Sequence, residues 1–264
     1  MKCCTAQITS VWDNPEKTLK KTVPFLREAS QNNASLICFP EQFATGWDPA
    51  SHQHIEDLSG LIVSTLKDYA KEYSIAVIGS FRERAVPYPR NTAVAIGNDG
   101  RILATYAKMH LFSHAQEDKA YSPGTDLGIF SLNGIRFGLG ICYDLRFPSL
   151  FRLYAKEGVH AVIVPAAWPE TRIRHWELFI TARAAENQMY VPGCNTTGTN
   201  PVDRYSGSSI TADPTGAIIS QADSRECLIY SDIDPALVRQ IRQEFPVEND
   251  RRDALYQSLL GRHG

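Results

Sequence analysis

The sequence predicts an α/β fold in which two similar halves pack against each other as a four-layer α-β-β-α sandwich. Short β-branched runs alternate with helical patterns in the first and later parts of the chain, and strong turn signals lie between them. Two α/β halves cover their sheets best when the sheets face each other and the helices lie outside. Because no linker rich in Gly, Ser or charge interrupts the chain, we expect a single domain over residues 1–264, with a C-terminal tail from about residue 245.

The first half of the chain predicts a β-α-β-α-β series. Asn14 precedes Pro15. Proline suits the first position of a helix, because a backbone N–H at that position has no partner within the helix and its absence therefore loses no hydrogen bond. Apolar residues then recur at helical spacing, and the short apolar runs between the helices have the length of buried strands. We predict strands at 3–8, 36–39 and 76–80, a helix from Pro15 with Leu19, Val23 and Leu26 on one face, and a helix at 61–73 with Ile62, Leu66, Tyr69 and Tyr73 on one face.

The middle of the chain predicts hairpins, and the second half repeats the α/β alternation. Asn98-Asp99-Gly100 and Asn133-Gly134 are strong turn signals, so the strands that flank them should be antiparallel neighbours. A turn at 213–216 closes a last hairpin, and a helix begins at Pro235. The polar residues 248–253 are either a solvated end or a partner-facing arm. The other predicted elements are strands at 92–96, 136–141, 159–164 and 189–194 and helices at 148–156 and 172–187.

Charge and hydropathy exclude two classes of partner. The 27 basic and 29 acidic residues leave a net charge of -2 and a pI near 6.4, which provides no basic surface for nucleic acid. The longest apolar runs, such as residues 161–167, are far shorter than a membrane span, and the N-terminus lacks the apolar core of a signal peptide. We therefore expect a cytoplasmic protein whose partners include neither nucleic acid nor a membrane.

The spacing of cysteine and histidine favours free thiols and no metal. The six cysteines show no Cys-x-x-Cys spacing, and a cytoplasmic protein meets no oxidising compartment, so we interpret them as unpaired. His110 and His114 stand four residues apart, but their segment lacks a helical pattern, and no His-Glu-x-x-His motif occurs. We expect neither a metal nor a cofactor.

Three reactive side chains follow strand-like runs at the points where the runs end. They are Glu41, Lys108 and Cys142. Active sites of α/β folds assemble at strand ends, because the loops can converge there while the sheet holds their roots. Each residue alone has an ordinary alternative, since most cysteines are small buried hydrophobes and most isolated charges are solvated.

In order and context, these three residues resemble the Glu-Lys-Cys triad of the nitrilase superfamily. The resemblance covers nearly the whole chain and extends to Glu117, which resembles a second glutamate that members place beside the lysine. Residues 142–148, 168–169 and 181–188 resemble the omega-amidase-like branch. The resemblance implies the four-layer sandwich of the nitrilase type. It also implies a homodimer, in which the helix after Cys142 and the helix at 172–187 meet across a two-fold axis.

The resemblance implies amide hydrolysis through a cysteine thioester, and this chemistry accounts for the residue types. Cys142 would be the nucleophile, Glu41 would carry protons, and Lys108 with the backbone N–H of Tyr143 would stabilise the oxyanion. Glu117 would keep Lys108 charged and aimed. Its alternative is an exposed loop carboxylate.

Two further residues have open roles. Arg146 could bind a substrate carboxylate through its bidentate fork, or it could pair with Asp144 or Glu186 as a structural residue. Trp168 could line the substrate pocket, although a large aromatic at a strand end is more often core packing.

The function that this branch implies is that of an omega-amidase, which hydrolyses the terminal amide of a short dicarboxylic monoamide such as 2-oxoglutaramate or 2-oxosuccinamate. An amidase for a methionine-salvage keto-amide, for deaminated glutathione or for an aliphatic amide is the enzymatic alternative, and nitrile hydrolysis ranks below these. A catalytically silent scaffold of the same fold is an alternative of another class, against which the intact triad argues. A Cys-His protease-like enzyme is a third, but Cys142 lies outside the expected local signatures.

Overall fold

Two large β-sheets flanked by helices, together with a small two-stranded sheet, make up the computed structural model, which describes residues 1–261. The helices of this described part are α1 (Pro15–Gln31), α2 (Leu61–Glu72), α3 (Glu117–Ala120), α4 (Pro148–Lys156), α5 (Ile173–Asn187), α6 (Pro235–Glu244) and α7 (Asp253–Leu260). Its strands are β1 (Lys2–Gln7), β2 (Leu36–Cys38), β3 (Ile55–Glu56), β4 (Ala76–Glu83), β5 (Arg90–Ile96), β6 (Ile102–Ala107), β7 (Gly128–Leu132), β8 (Ile135–Leu139), β9 (Ala161–Ala166), β10 (Val191–Asn195), β11 (Thr197–Thr199), β12 (Arg204–Ser206), β13 (Ile210–Ala212), β14 (Ile218–Gln221) and β15 (Cys227–Asp232).

The two sheets have the same plan, with parallel strands in the centre and antiparallel hairpins toward the edges. The first sheet has the order β15-β1-β2-β4-β5-β6, with β3 beside β4, and the second has the order β14-β13-β10-β9-β8-β7. The predicted turns at Asn98-Asp99-Gly100 and Asn133-Gly134 join antiparallel neighbours, which confirms both hairpins. Asn133 and Gly134 both have positive φ angles (50° and 76°), as the favoured two-residue hairpin turn requires.

The sheets pack face to face, and helices cover their outer faces. Alternate residues of the first sheet point inward or outward, so that Cys3 joins the core between the sheets while Cys4 joins the core under α1 and α2. Across the sheet interface, the Sγ of Cys194 donates to the carbonyl oxygen of Cys38 at 3.1 Å. On the far side, a Cβ at Gly193 would meet Trp176 of α5 at 2.6 Å, so the glycine admits this helix closely. The predicted α-β-β-α sandwich is confirmed.

The first helix begins as its cap predicts but buries a slightly different face. The side chain of Asn14 accepts the backbone N–H of Lys17 at 3.0 Å, and Pro15 is the first helical residue. Leu19 and Leu26 are buried as predicted, whereas Val23 is only half-buried. The buried stripe instead runs through threonines, because Thr22 lies three residues after Leu19 and four before Leu26, and Thr18 lies four before Thr22. The buried residues of this helix are Pro15, Thr18, Leu19, Thr22, Leu26 and Ala29.

The C-terminal segment is more structured than the polar composition of residues 248–253 indicates. After α6 the chain makes a short helical turn at Val247–Asp250 and then forms α7. The Asp253 carboxylate at the start of α7 accepts the Lys156 ammonium at 2.7 Å and pairs with Arg152, and both partners belong to α4. The tail is therefore held against the helix that follows Cys142. No helix within residues 1–261 is long and apolar enough to cross a membrane.

Candidate active site

The ends of three strands bring Glu41, Lys108 and Cys142 together. Glu41 follows β2 by three residues, Lys108 follows β6 directly, and Cys142 follows β8 by three residues. The Lys108 ammonium lies 2.8 Å from the Oε1 of Glu41, and Lys108 and Cys142 line the same cavity. The convergence that the strand ends predict is present.

Cys142 lies at a turn whose backbone is strained. Its φ of +46° is uncommon for a residue other than glycine, and such strain persists only where neighbouring contacts enforce it. Asp144, two residues later, is fully buried and accepts the Ile141 backbone N–H at 2.9 Å and the Tyr106 hydroxyl at 2.8 Å. The other oxygen of Asp144 contacts the backbone N–H of His110 at 3.1 Å and the His110 Nδ1 at 2.7 Å. One carboxylate thus ties the turn before Cys142 to the segment that contains Lys108.

Lys108 is buried between two carboxylates. Its Nζ lies 2.8 Å from Glu41 and 2.9 Å from the Oε2 of Glu117, and the side chains of the three residues are at most 1% exposed. Burial alone lowers the pKa of Lys108, but the charges of Glu117 and Glu41 outweigh it and hold this pKa well above its ordinary value. The lysine is therefore a permanent ammonium at neutral pH.

Glu117 is the first residue of α3 and is fully buried. The preceding residue, Gln116, has a φ of +58°, which turns the chain so that the Glu117 carboxylate points at the lysine. The same carboxylate accepts the backbone N–H of Phe112 at 2.7 Å. The alternative of an exposed loop carboxylate is wrong, because that description fits the neighbouring Asp118 instead.

Asn91, at the start of β5, is a member of this network that the sequence analysis missed. Its fully buried side-chain amide donates to Glu41 at 2.7 Å and to Glu117 at 3.1 Å, and its backbone carbonyl oxygen accepts the Lys108 backbone N–H at 2.8 Å. A lone asparagine before a strand carries no signal of this role. Strand pairing is the signal that would find it, since Thr92 opposes Ala107, the residue before Lys108.

The pKa directions of Glu41 and Cys142 define their protonation states. Burial raises the pKa of the Cys142 thiol, the nearby Glu41 carboxylate raises it further, and Lys108 opposes both. The resting group is therefore a thiol, and attack requires a base. Burial also raises the pKa of Glu41 against the opposing effect of Lys108. A carboxylate with a raised pKa beside a thiol is suited to accept its proton.

A cavity of about 260 Å³ opens onto Cys142 and Lys108. Aromatic side chains form much of its wall, and the ring centroids of Phe112 and Tyr143 lie 4.9 Å apart. Trp168 lines the cavity, and it also packs against Trp176 at 5.7 Å, so both of its predicted roles are observed. The volume admits a small organic molecule with one reactive end at the cysteine.

Arg146 lies in this cavity and does not pair with either of its predicted structural partners. Asp144 is occupied by the contacts described above, and Glu186 pairs with Arg183 at 3.0 Å. The Arg146 guanidinium instead lies over the Trp168 ring at 5.1 Å, and its Nη2 is 3.4 Å from the Nδ1 of His175. Within residues 1–261, it has no acidic partner inside 4.0 Å.

A family model described as "Carbon-nitrogen hydrolase" matches residues 3–243. The chain is 33% identical to the 2-oxoglutaramate amidase of Bacillus subtilis (strain 168), over 93% of this chain and 95% of that protein. It is 34% identical to "Omega-amidase NIT2" of Homo sapiens, over 95% of this chain and 94% of that protein. Among solved structures, XC1258 from Xanthomonas campestris, a CN-hydrolase superfamily protein with an arsenic adduct in its active site, is similar with a TM-score of 0.90 and 25% identity, over 96% of this chain and 97% of that chain.

Proposed function

Because the chain belongs to the carbon-nitrogen hydrolase family, we propose that it is an omega-amidase with Cys142 as its nucleophile. Its substrates are short dicarboxylic monoamides, such as 2-oxoglutaramate or 2-oxosuccinamate, and its products are the dicarboxylate and ammonia. The names of the relatives support this substrate class. The observation that carries the proposal is the Arg146 guanidinium, which faces the same cavity as the Cys142 thiol without an acidic partner among the described residues.

Acylation begins when the Cys142 sulfur attacks the amide carbon and the thiol proton passes to Glu41. The carbonyl electrons move onto the oxygen, and this oxyanion is stabilised by the Lys108 ammonium and the backbone N–H of Tyr143. The C–N bond then breaks as Glu41 returns the proton to the departing nitrogen. Ammonia leaves, and a thioester links the acyl group to Cys142.

Deacylation repeats these steps with water in place of the thiol. Glu41 takes a proton from water as the water oxygen attacks the thioester carbon, and Lys108 again stabilises the oxyanion. The C–S bond breaks, the proton returns from Glu41 to the Cys142 sulfur, and the carboxylic acid product ionises and leaves. The Glu41 carboxylate alone serves both acylation and deacylation, because it takes up one proton and returns it within each of these two stages.

Glu117 and Asn91 hold Lys108 and Glu41 in position. Glu117 retains the charge of Lys108, and the Asn91 amide bridges Glu41 and Glu117 so that both carboxylates face the same ammonium. The Glu41 oxygen that does not contact Lys108 accepts the Ala167 backbone N–H at 3.0 Å, which fixes the orientation of this carboxylate. Preorganised groups of this kind stabilise developing charge without reorganisation during the reaction.

Arg146 selects the far end of the substrate. A guanidinium held over aromatic faces presents its donors in a fixed plane, which matches a carboxylate in a bidentate way. A neutral ligand leaves this cation unpaired in a confined site, so a carboxylate gains affinity that an uncharged group of equal length does not.

We also propose that the enzyme is a cytoplasmic homodimer. The surface expected at the two-fold axis, α4 and α5, exposes Leu153 and Leu178, which are 49% and 58% exposed. Apolar side chains at this level of exposure suit an interface between copies. Light scattering should give about twice the 29.4 kDa mass of one chain. A measured mass equal to that of a single chain at working concentration would contradict the proposed dimer.

Ammonia release from three ligands tests the amidase proposal. Wild-type enzyme should prefer succinamate over butyramide and over succinonitrile, and Arg146→Lys, which keeps charge but loses the bidentate fork, should reduce this preference. If butyramide matches succinamate, the protein is a general aliphatic amidase. If succinonitrile is the best substrate, it is a nitrilase. If a label on the Cys142 thiol leaves ammonia release unchanged, the thioester mechanism is wrong.

A further inference from the structure

A second arginine, Arg172, lines the cavity that contains Cys142 and Arg146. It lies at the end of the short helical turn Glu170–Arg172, directly before α5, whereas Arg146 ends the turn that begins at Cys142. The two guanidinium groups therefore enter the same cavity from separate segments. One cation is enough for one carboxylate, so the second calls for another acceptor on the ligand.

The two guanidinium groups are seated on a connected aromatic wall. The Cζ of Arg172 lies 5.3 Å from the Phe112 ring centroid, and the Cζ of Arg146 lies 5.8 Å from that of Tyr143. The Phe112 and Tyr143 rings are themselves 4.9 Å apart. Stacking on this wall restricts both side chains, so their N–H donors occupy defined positions in the cavity.

No acidic side chain of the described residues 1–261 lies within 4.0 Å of Arg172. The neighbouring Glu170 pairs with Arg204 at 2.8 Å instead. Asp203 also lines the cavity, but its carboxylate accepts the backbone N–H of Arg204 at 2.8 Å. Arg174, two residues further along the chain, is an exposed arginine outside this cavity lining. Arg172 thus differs from an ordinary solvated arginine by its place in the cavity and on the Phe112 ring.

We propose that Arg172 is a specificity-determining residue that hydrogen-bonds the 2-oxo oxygen of the substrate while Arg146 binds the adjacent carboxylate. This inference rests on the proposed amidase function. A 2-oxo acid presents two acceptors on adjacent carbons, which two guanidinium groups can serve together. A 2-amino acid of the same length presents an ammonium at that carbon, which repels Arg172. A plain methylene there makes no hydrogen bond.

Ammonia release from three four-carbon amides tests this role. The three substrates differ only at carbon 2: 2-oxosuccinamate, succinamate and L-asparagine. Wild-type kcat/KM should fall in that order. Arg172→Gln should lower kcat/KM for 2-oxosuccinamate by about tenfold to a hundredfold, chiefly through KM, because one hydrogen bond to a charged group is lost. For succinamate the change should stay within about threefold, and the control Arg174→Gln should leave both values unchanged.

A binding measurement supports the assay independently of turnover. In the Cys142→Ala background, calorimetry should show 2-oxosuccinamate binding more tightly than succinamate, and Arg172→Gln should remove that difference. If Arg172→Gln weakens both ligands equally, or neither, the inference is overturned although the amidase function stands. If L-asparagine is hydrolysed as well as 2-oxosuccinamate, Asp203 outweighs Arg172 and the inference is again overturned. If wild type releases ammonia from none of the three, the proposed function fails and this inference fails with it.

Discussion

Replacing Glu117 by glutamine tests the electrostatic core of the proposed mechanism. The Glu117 carboxylate accepts the Lys108 ammonium at 2.9 and 3.2 Å, the Asn91 amide at 3.1 Å and the Phe112 N–H at 2.7 Å. Glutamine keeps one oxygen, and its NH₂ group faces the Lys108 ammonium in either orientation. Two accepted hydrogen bonds are lost, so we expect the free energy of unfolding to fall by about 2–4 kcal/mol.

The larger effect is on rate and on its pH dependence. Glu117 does not line the cavity, so KM should change little, while kcat should fall about a hundredfold, as when one oxyanion donor is misplaced. The charge of Glu117 raises the pKa of Lys108 and also that of Glu41. Without it, Lys108 loses its proton at a lower pH and Glu41 stays ionised to a lower pH. Both limbs of the profile of kcat/KM against pH should therefore move to lower pH.

The matched control is Asp118→Asn, which removes the same charge from the adjacent, exposed residue. Wild-type and variant rates of ammonia release from succinamate, measured from acid to alkaline pH, give the profiles. An unshifted profile for Glu117→Gln would refute the role assigned to Glu117. An equal shift in Asp118→Asn would show that long-range charge, and not contact with Lys108, governs the rate.

Three further predictions concern the remaining members of the site. Cys142→Ala should keep the circular dichroism spectrum of the folded wild type and lose turnover. Rapid mass measurement of wild type during turnover should locate an acyl adduct on the Cys142 peptide, and an adduct on another cysteine would assign the nucleophile to that cysteine instead. Lys108→Arg should lose roughly a hundredfold to a thousandfold in kcat although charge is kept, because a planar guanidinium does not fit between Glu41 and Glu117; near-full activity would exclude the oxyanion role. Asp144→Asn should lower kcat more than it raises KM. It should also reduce the free energy of unfolding by about 2–3 kcal/mol, because asparagine does not replace all four contacts of the carboxylate. An unchanged urea unfolding curve would contradict this.

The sequence alone was sufficient for the layered architecture and for four of the reactive residues at its centre, Glu41, Lys108, Glu117 and Cys142. Alternating apolar patterns and the turns at Asn98-Asp99-Gly100 and Asn133-Gly134 are local signals, and they predict strands, helices and hairpins without knowledge of distant contacts. Glu41, Lys108 and Cys142 were found because each follows a strand and because their order resembles a known triad. Strand ends converge by the geometry of the sheets, so their meeting follows from the fold.

Only the tertiary structure shows which polar groups contact one another. Asn91 joins the network through the pairing of β5 with β6, a contact that no local pattern around it records. Arg146 had two structural alternatives, and both are wrong, because the Asp144 carboxylate contacts Tyr106 and His110 and Glu186 pairs with Arg183 of its own helix. Arg172 reaches the cavity from a separate turn, and α7 is held by charges on α4, far away in sequence. Contacts between residues far apart in sequence select one partner among several that the local sequence does not distinguish. These contacts depend on distances that exist only after the chain has folded.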